Sequence, residues 1–97
     1  MNFLDFAQDY YRLRQFYYVA KAGSLSGAGR MLGVSHTTLS QSMKTLEHRL
    51  KTRVLVREGR GMKLTVYGER LFVFAAKMYE ESETFLKGFT ENGDEVE

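Results

Sequence analysis

The 97-residue chain has no cysteine, no proline and only two histidines. Without cysteine there is neither a disulfide nor thiol chemistry, and two histidines alone exclude the usual Cys/His zinc sites. No stretch stays apolar for the ~18 residues a membrane span requires. The first ten residues carry Asp5 and Asp9 and lack the basic start, apolar run and small-residue cleavage site of a secretory leader. These absences point to a cytoplasmic chain with no membrane partner, metal or other cofactor. The length suits one small domain with no room for a second core, so any extended element should seek a partner.

What the sequence does have is charge sorted into blocks. From Arg30 to Arg70, nine Lys/Arg stand against three Glu, a net +6. From Glu80 onward, seven acidic residues stand against Lys87, a net −6. A basic middle followed by an acidic tail suggests a surface for a polyanion, with repulsion at the other end.

With no proline, glycine punctuates the chain. Leu13, Phe16, Tyr17 and Ala20 recur at helical spacing and stop at Gly23. Ser24 is an N-cap residue for a second helix over 24–32, and Gly33 ends it. Ser35 caps a third helix whose apolar residues Leu39, Met43, Leu46 and Leu50 form one stripe. Its opposite side carries His36, Thr37, Ser40, Gln41 and Lys44, a face that wants a polar partner. The period then changes. Arg53–Arg57 reads as a strand, Glu58–Gly61 as a turn and Met62–Thr65 as a returning strand, with Arg60 at the tip. From Val66 the helical period resumes to about Lys87, roughly 30 Å of helix. Gly88 and the polar run after it read as a frayed end or hinge.

Two helices joined tightly need a small residue at their crossing, a turn residue, and aliphatic residues that lock them. Gly29, Gly33, and Val34 with Leu39 fill these roles, as in a helix-turn-helix that presents its second helix to a DNA major groove. A basic hairpin flanked by Arg53, Arg57 and Arg60 is a common companion, reaching a minor groove or a phosphate.

The run Leu13-Arg14-Gln15-Phe16, Ala22-Gly23-Ser24-Leu25-Ser26, Leu32-Gly33-Val34-Ser35, Leu39-Ser40, Leu46-Glu47, Arg57 and Leu64-Thr65-Val66-Tyr67-Gly68-Glu69 resembles the N-terminal domain of LysR-type transcription regulators, in order and without a gap. The resemblance covers about 13–71. It implies a mainly α fold: a winged helix-turn-helix over 1–65 (three helices and a two-stranded wing), a dimerising linker helix over 66–88 that pairs antiparallel with its counterpart, and a flexible hinge or tail over 89–97. It also implies sequence-specific binding of double-stranded DNA as a homodimer, with bases contacted through His36, Thr37, Ser40 and Gln41, and Arg60 in the wing. Ser35, Thr38, Lys44 and Arg57 complete the expected DNA-binding set. The family's C-terminal effector-binding domain is expected to be absent, and with it any small-molecule effector. A full-length form would be a candidate tetramer, and RNA polymerase is a further partner that such a function allows.

The sequence departs from the family pattern at four positions: His36 where Gln is frequent, Thr37 where Pro or Ser is usual, Gln41 where Arg is usual, and Lys51 where Gly normally follows the Leu. Gln pairs bidentately with adenine and Arg with guanine, so the preferred site should differ at that base. Dimerisation is assigned to Leu71, Phe74, Ala75, Met78 and Phe85, because the apolar residues of the linker helix cover more than one face. Two-fold pairing gives a pseudo-palindromic site with half-sites one or two turns apart. A competing assignment lets Met1–Tyr11 cover that helix within one chain. Tyr10, Tyr11, Tyr17 and Tyr18 read as core and interface residues in preference to a stacking platform for single strands. His48 reads as solvated. Ser40 and Thr38 have no His–Asp pair to activate them, so an enzyme is not expected. The alternative of another class is a sensorless protein that heterodimerises with a full-length regulator and antagonises its DNA binding.

Overall fold

The computed structural model describes residues 6–91. Its elements are α1 (Phe6–Ala22), α2 (Leu25–Leu32), α3 (His36–Leu50), β1 (Leu55–Glu58), β2 (Gly61–Leu64) and α4 (Val66–Glu91). This is the expected three-helix unit with a hairpin wing and a long trailing helix. The expected tail beyond Glu91, and the residues before Phe6, lie outside the described residues.

Local chemistry sets the helix ends. Ser24 accepts a hydrogen bond from the Gly27 amide at 3.0 Å, which opens α2. Gly33 closes it at φ 67°, a left-handed conformation natural to glycine. Ser35 then accepts from the Thr38 amide at 3.1 Å and opens α3. Between α2 and α3 the backbones come close: a Cβ on Gly29 would lie 2.7 Å from the Val34 carbonyl oxygen, so only glycine fits. Leu39, Met43 and Leu46 bury the inner stripe of α3 beside Phe16 and Val19 of α1.

The hairpin is antiparallel, with Leu55 opposite Leu64 and Glu58 opposite Gly61. Glu58–Gly61 is thus the expected four-residue turn, with Gly59–Arg60 at its centre and its end residues paired. Gly59 has φ 59°, the sign a type II′ turn needs at its first position. The incoming strand begins at Leu55 instead of Arg53, because Val54 and Leu55 turn their amides to the Glu47 carboxylate, at 2.8 and 3.2 Å. At the other side, the Met62 amide donates to the Gly23 carbonyl at 2.8 Å and braces the wing against the α1–α2 turn.

Helix α4 has 26 residues, about 39 Å, and runs through Gly88 to Glu91. The expected stop near Lys87 is thus corrected: Gly88 costs a helix about 1 kcal/mol relative to alanine but does not by itself end one. The start is fixed by Thr65, whose hydroxyl accepts from the Gly68 amide at 2.9 Å. A Cβ on Gly68 would lie 2.0 Å from the Val54 carbonyl oxygen, so this glycine marks the face of α4 that meets the domain. From there Phe72, Ala75 and Tyr79 follow at helical spacing and pack toward α1 and the core.

Candidate nucleic-acid interface

Successive residues of α3 are roughly 100° apart around its axis. Opposite the buried Leu39, Met43 and Leu46, the residues Thr37, Gln41, Lys44 and His48 fall at steps of four, three and four, all exposed. Thr37, Gln41 and Lys44 therefore stand together as expected. His48, read from the sequence as merely solvated, extends the same stripe, and the four-three-four spacing was the signal available for it. Ser40 is half-buried at the edge. His36 is exposed, but seven residues before Met43 it lies in the angular sector of the buried stripe, beyond the core's edge instead of opposite it.

Ser35 and Thr38 form a unit at the head of α3. The Ser35 hydroxyl donates to Thr38 Oγ1 at 2.9 Å while accepting from the Thr38 amide. The Thr38 hydroxyl hydrogen is left to donate outward, beside the amide ends of the helix, where an anion is stabilised. In the wing, Arg57 and Arg60 are exposed and neither is ion-paired among the described residues. The Glu58–Lys63 pair, 3.7 Å apart with both side chains about two-thirds exposed, is worth close to nothing in water.

Two of the basic residues counted in the sequence have internal partners. Arg49 donates from Nε and Nη2 to the two carboxylate oxygens of Asp9, at 2.6 and 2.8 Å, and Arg12 adds a third bond at 3.0 Å. Asp9 is 3% exposed, and hydrogen bonding from Arg49, partly opposed by burial, holds its carboxyl below the usual value. Arg53 Nε lies 3.4 Å from Glu47. Further along α3, Ser42 donates to the buried Gln15 side chain. The Arg49–Asp9 and Ser42–Gln15 contacts tie the flank of α3 to α1 by directional bonds. The Asp9 contribution had no local signal, since its partner stands 40 residues away.

The dimerisation residues divide. Phe74 and Phe85 are 56% and 67% exposed, Leu71 and Met78 are half-buried, and with Tyr67 and Phe89 they follow one stripe of α4. Ala75 is 1% exposed and belongs to the core of its own chain, which corrects its assignment to a partner-facing set. Its place is dictated by Gly68, seven residues earlier on the inward face. No helix among the described residues is long and apolar enough to cross a membrane.

Residues 11–69 match the family of bacterial regulatory helix-turn-helix proteins of the lysR type. YcaN of Escherichia coli (strain K12), an HTH-type transcriptional regulator, is 37% identical over 86 residues, covering 89% of this chain and 26% of YcaN. The transcriptional activator protein NhaR of the same strain is 33% identical over 78 residues, covering 80% of this chain and 26% of NhaR. The chain thus spans about a quarter of the length of these two relatives. Among solved structures, the CbnR DBD in complex with DNA superposes with a TM-score of 0.72 at 27% identity, covering 87% of this chain and 97% of that one. The fold and the relatives are those of transcriptional regulators and not of enzymes. The chain belongs to the lysR family of bacterial regulatory helix-turn-helix proteins.

Proposed function

We propose that this chain binds double-stranded DNA sequence-specifically in transcription regulation, as a homodimer on a pseudo-palindromic site. Helix α3 enters the major groove and the Arg60 wing tip meets the minor groove or backbone. The observation that carries the reading is the outward stripe of α3, where Thr37, Gln41, Lys44 and His48 present hydrogen-bonding groups from a helix locked by its inner stripe. Base edges in the major groove offer the complementary donors and acceptors. Ser35, His36 and Ser40 stand at the head and edge of this surface, and Thr38, Lys44, Arg57 and Arg60 supply phosphate contacts. That the similar CbnR DBD was solved in complex with DNA favours the same ligand here.

The homodimer is supported by the second apolar stripe of α4, in which Phe74 and Phe85 are exposed and Leu71 and Met78 half-buried. Charge favours antiparallel pairing. In the first half of α4 Arg70 and Lys77 outnumber Glu69, and in the second Glu80, Glu81, Glu83 and Glu91 outnumber Lys87, so the halves are net +1 and −3 and reversing one helix sets opposite charges side by side. In this reading residues up to about 65 are the reading head and α4 is the pairing element.

Selection from a random DNA pool, followed by a salt titration on the selected site, tests the proposal. With several phosphates neutralised, log affinity should fall against log salt by about 0.9 per contact. A purified homodimer with no affinity for any duplex would sink the reading and turn attention to a subunit that pairs through α4 with a longer regulator.

A further inference from the structure

Three tyrosines of α1 bond to α4 through their hydroxyls. Tyr10 donates to Ser82 Oγ at 3.2 Å, Tyr17 donates to Glu80 Oε2 at 3.0 Å, and the Tyr18 and Tyr79 hydroxyls share a hydrogen bond of 2.8 Å. The α1 positions rise as their partners fall, and the bonds spread along ~12 Å of α1 but converge on one turn of α4, about 4.5 Å. The rings brace the same contact. Tyr17 stacks on Phe72 at 5.6 Å and 6°, and the Arg14 guanidinium lies 5.5 and 5.6 Å from the Tyr18 and Tyr79 ring centres. Burial first, and then the bond to Glu80, push the Tyr17 hydroxyl up to about 12, so it stays a protonated donor at working pH. Beyond Ser82, residues 83–90 are all exposed, and α4 leaves the domain as a projecting rod.

Apolar packing between helices tolerates about 15–20° of scatter in crossing angle. Hydrogen bonds tolerate less, weakening steeply as donor and acceptor lose alignment. One turn of α4, Tyr79–Ser82, tied by hydroxyl bonds, together with the inward contacts at Gly68 and Ala75, gives the helix one direction. We propose that Tyr10, Tyr17 and Tyr18 are positioning residues that fix the direction in which α4 leaves the reading head, and so select the half-site separation that the DNA-bound dimer accepts. This rests on the dimer reading given above. Without the hydroxyl bonds the helix pivots about its inward anchor at Gly68, and a tilt of ~10° there moves a point ~30 Å further along α4 by ~5 Å, more than the 3.4 Å rise of one base pair. Two-fold symmetry applies the change on both sides.

The test uses the whole chain and a set of duplexes carrying two copies of the selected half-site, their separation varied in single base-pair steps, with a single half-site duplex as reference. A two-base-pair shift turns the second half-site about 70° around the duplex. For the unmodified protein this should remove at least one base contact, about a tenfold loss. In Tyr17→Phe/Tyr18→Phe, and independently in Tyr79→Phe/Ser82→Ala, that loss should shrink below about threefold, with sedimentation still showing a dimer and single half-site affinity unchanged within about twofold. An unaltered spacing profile in both variants overturns the proposal while leaving the dimer reading intact. So does an equal loss on every duplex, the single half-site included, which would mark the hydroxyls as general stabilisers. An unmodified chain that is monomeric, or indifferent to spacing, overturns the dimer reading and the proposal with it.

Discussion

Replacing Arg49 by methionine keeps most of its apolar stem and removes the fork that holds Asp9. Asp9 is 3% exposed and loses two of three charge-assisted hydrogen bonds, keeping only Arg12 at 3.0 Å. Breaking a fully buried pair on one side costs about 3–5 kcal/mol. Here the Arg49 and Arg12 side chains keep 23% and 20% exposure, so water reaches the pair and the expected loss at pH 7 is smaller, ~2 kcal/mol. For a chain of this size that lowers Tm by roughly 8–16 °C. Far-UV circular dichroism at one fixed protein concentration, by heat and by urea, measures it.

The pH dependence gives the sharper check. The carboxyl of Asp9 is held below its ordinary value, chiefly by the hydrogen bonds from Arg49. A depressed folded-state value means that the stabilisation is complete above the unfolded value of about 3.9 and disappears as pH falls through the folded one. In the Arg49→Met protein the burial penalty persists without its main compensation, so Asp9 takes up its proton at higher pH. The stability gap between the two proteins should therefore be constant near neutrality and close at acid pH. Asp9→Asn combined with Arg49→Met should cost less than the two single changes added, because the stranded charge is gone. A gap that does not change with pH, together with strict additivity, would refute the reasoning.

Other substitutions separate the roles assigned to the DNA-facing surface and to α4. Gln41→Ala should relax preference at one base position by ~1–3 kcal/mol, whereas Arg60→Ala should weaken binding at all sequences and flatten the salt slope by about 1; competition on selected and random duplexes measures both. Lys51 closes α3 at φ 59°, so Lys51→Gly should stabilise the fold by about 0.5–1 kcal/mol in urea denaturation. Phe74→Asp/Phe85→Asp should convert the dimer to a folded monomer in sedimentation and lower affinity for the two-half-site duplex far more than for a single half-site.

The parts of the fold that could be read from the sequence are those whose cause is local. Ser24, Gly33 and Ser35 each decide a helix end through a bond or a φ angle within three residues, and α2 and α3 stand where those residues put them. Lys51 is a useful contrast. It departs from a usual glycine, yet the helix ends there in the left-handed conformation, held by the Thr52 amide on the Glu47 carbonyl at 3.2 Å.

Helical periodicity alone could not give the phase of α4. Two apolar stripes run along that helix, and spacing does not say which meets the domain. The close approach of Gly68 to the Val54 carbonyl marks the inward face, on which Phe72, Ala75 and Tyr79 follow while Phe74 and Phe85 stay outside. The same limit applies to charge. A count of basic residues treated Arg49 and Lys44 alike, but Arg49 is drawn to Asp9 across the fold and Lys44 is left to solvent. The basic block is therefore smaller than the sequence total by Arg49, and Arg53 is shared with Glu47, while the other seven of its nine cations stay exposed. The measured salt slope should reflect those of the seven that reach phosphates, and Arg49→Met should leave it unchanged.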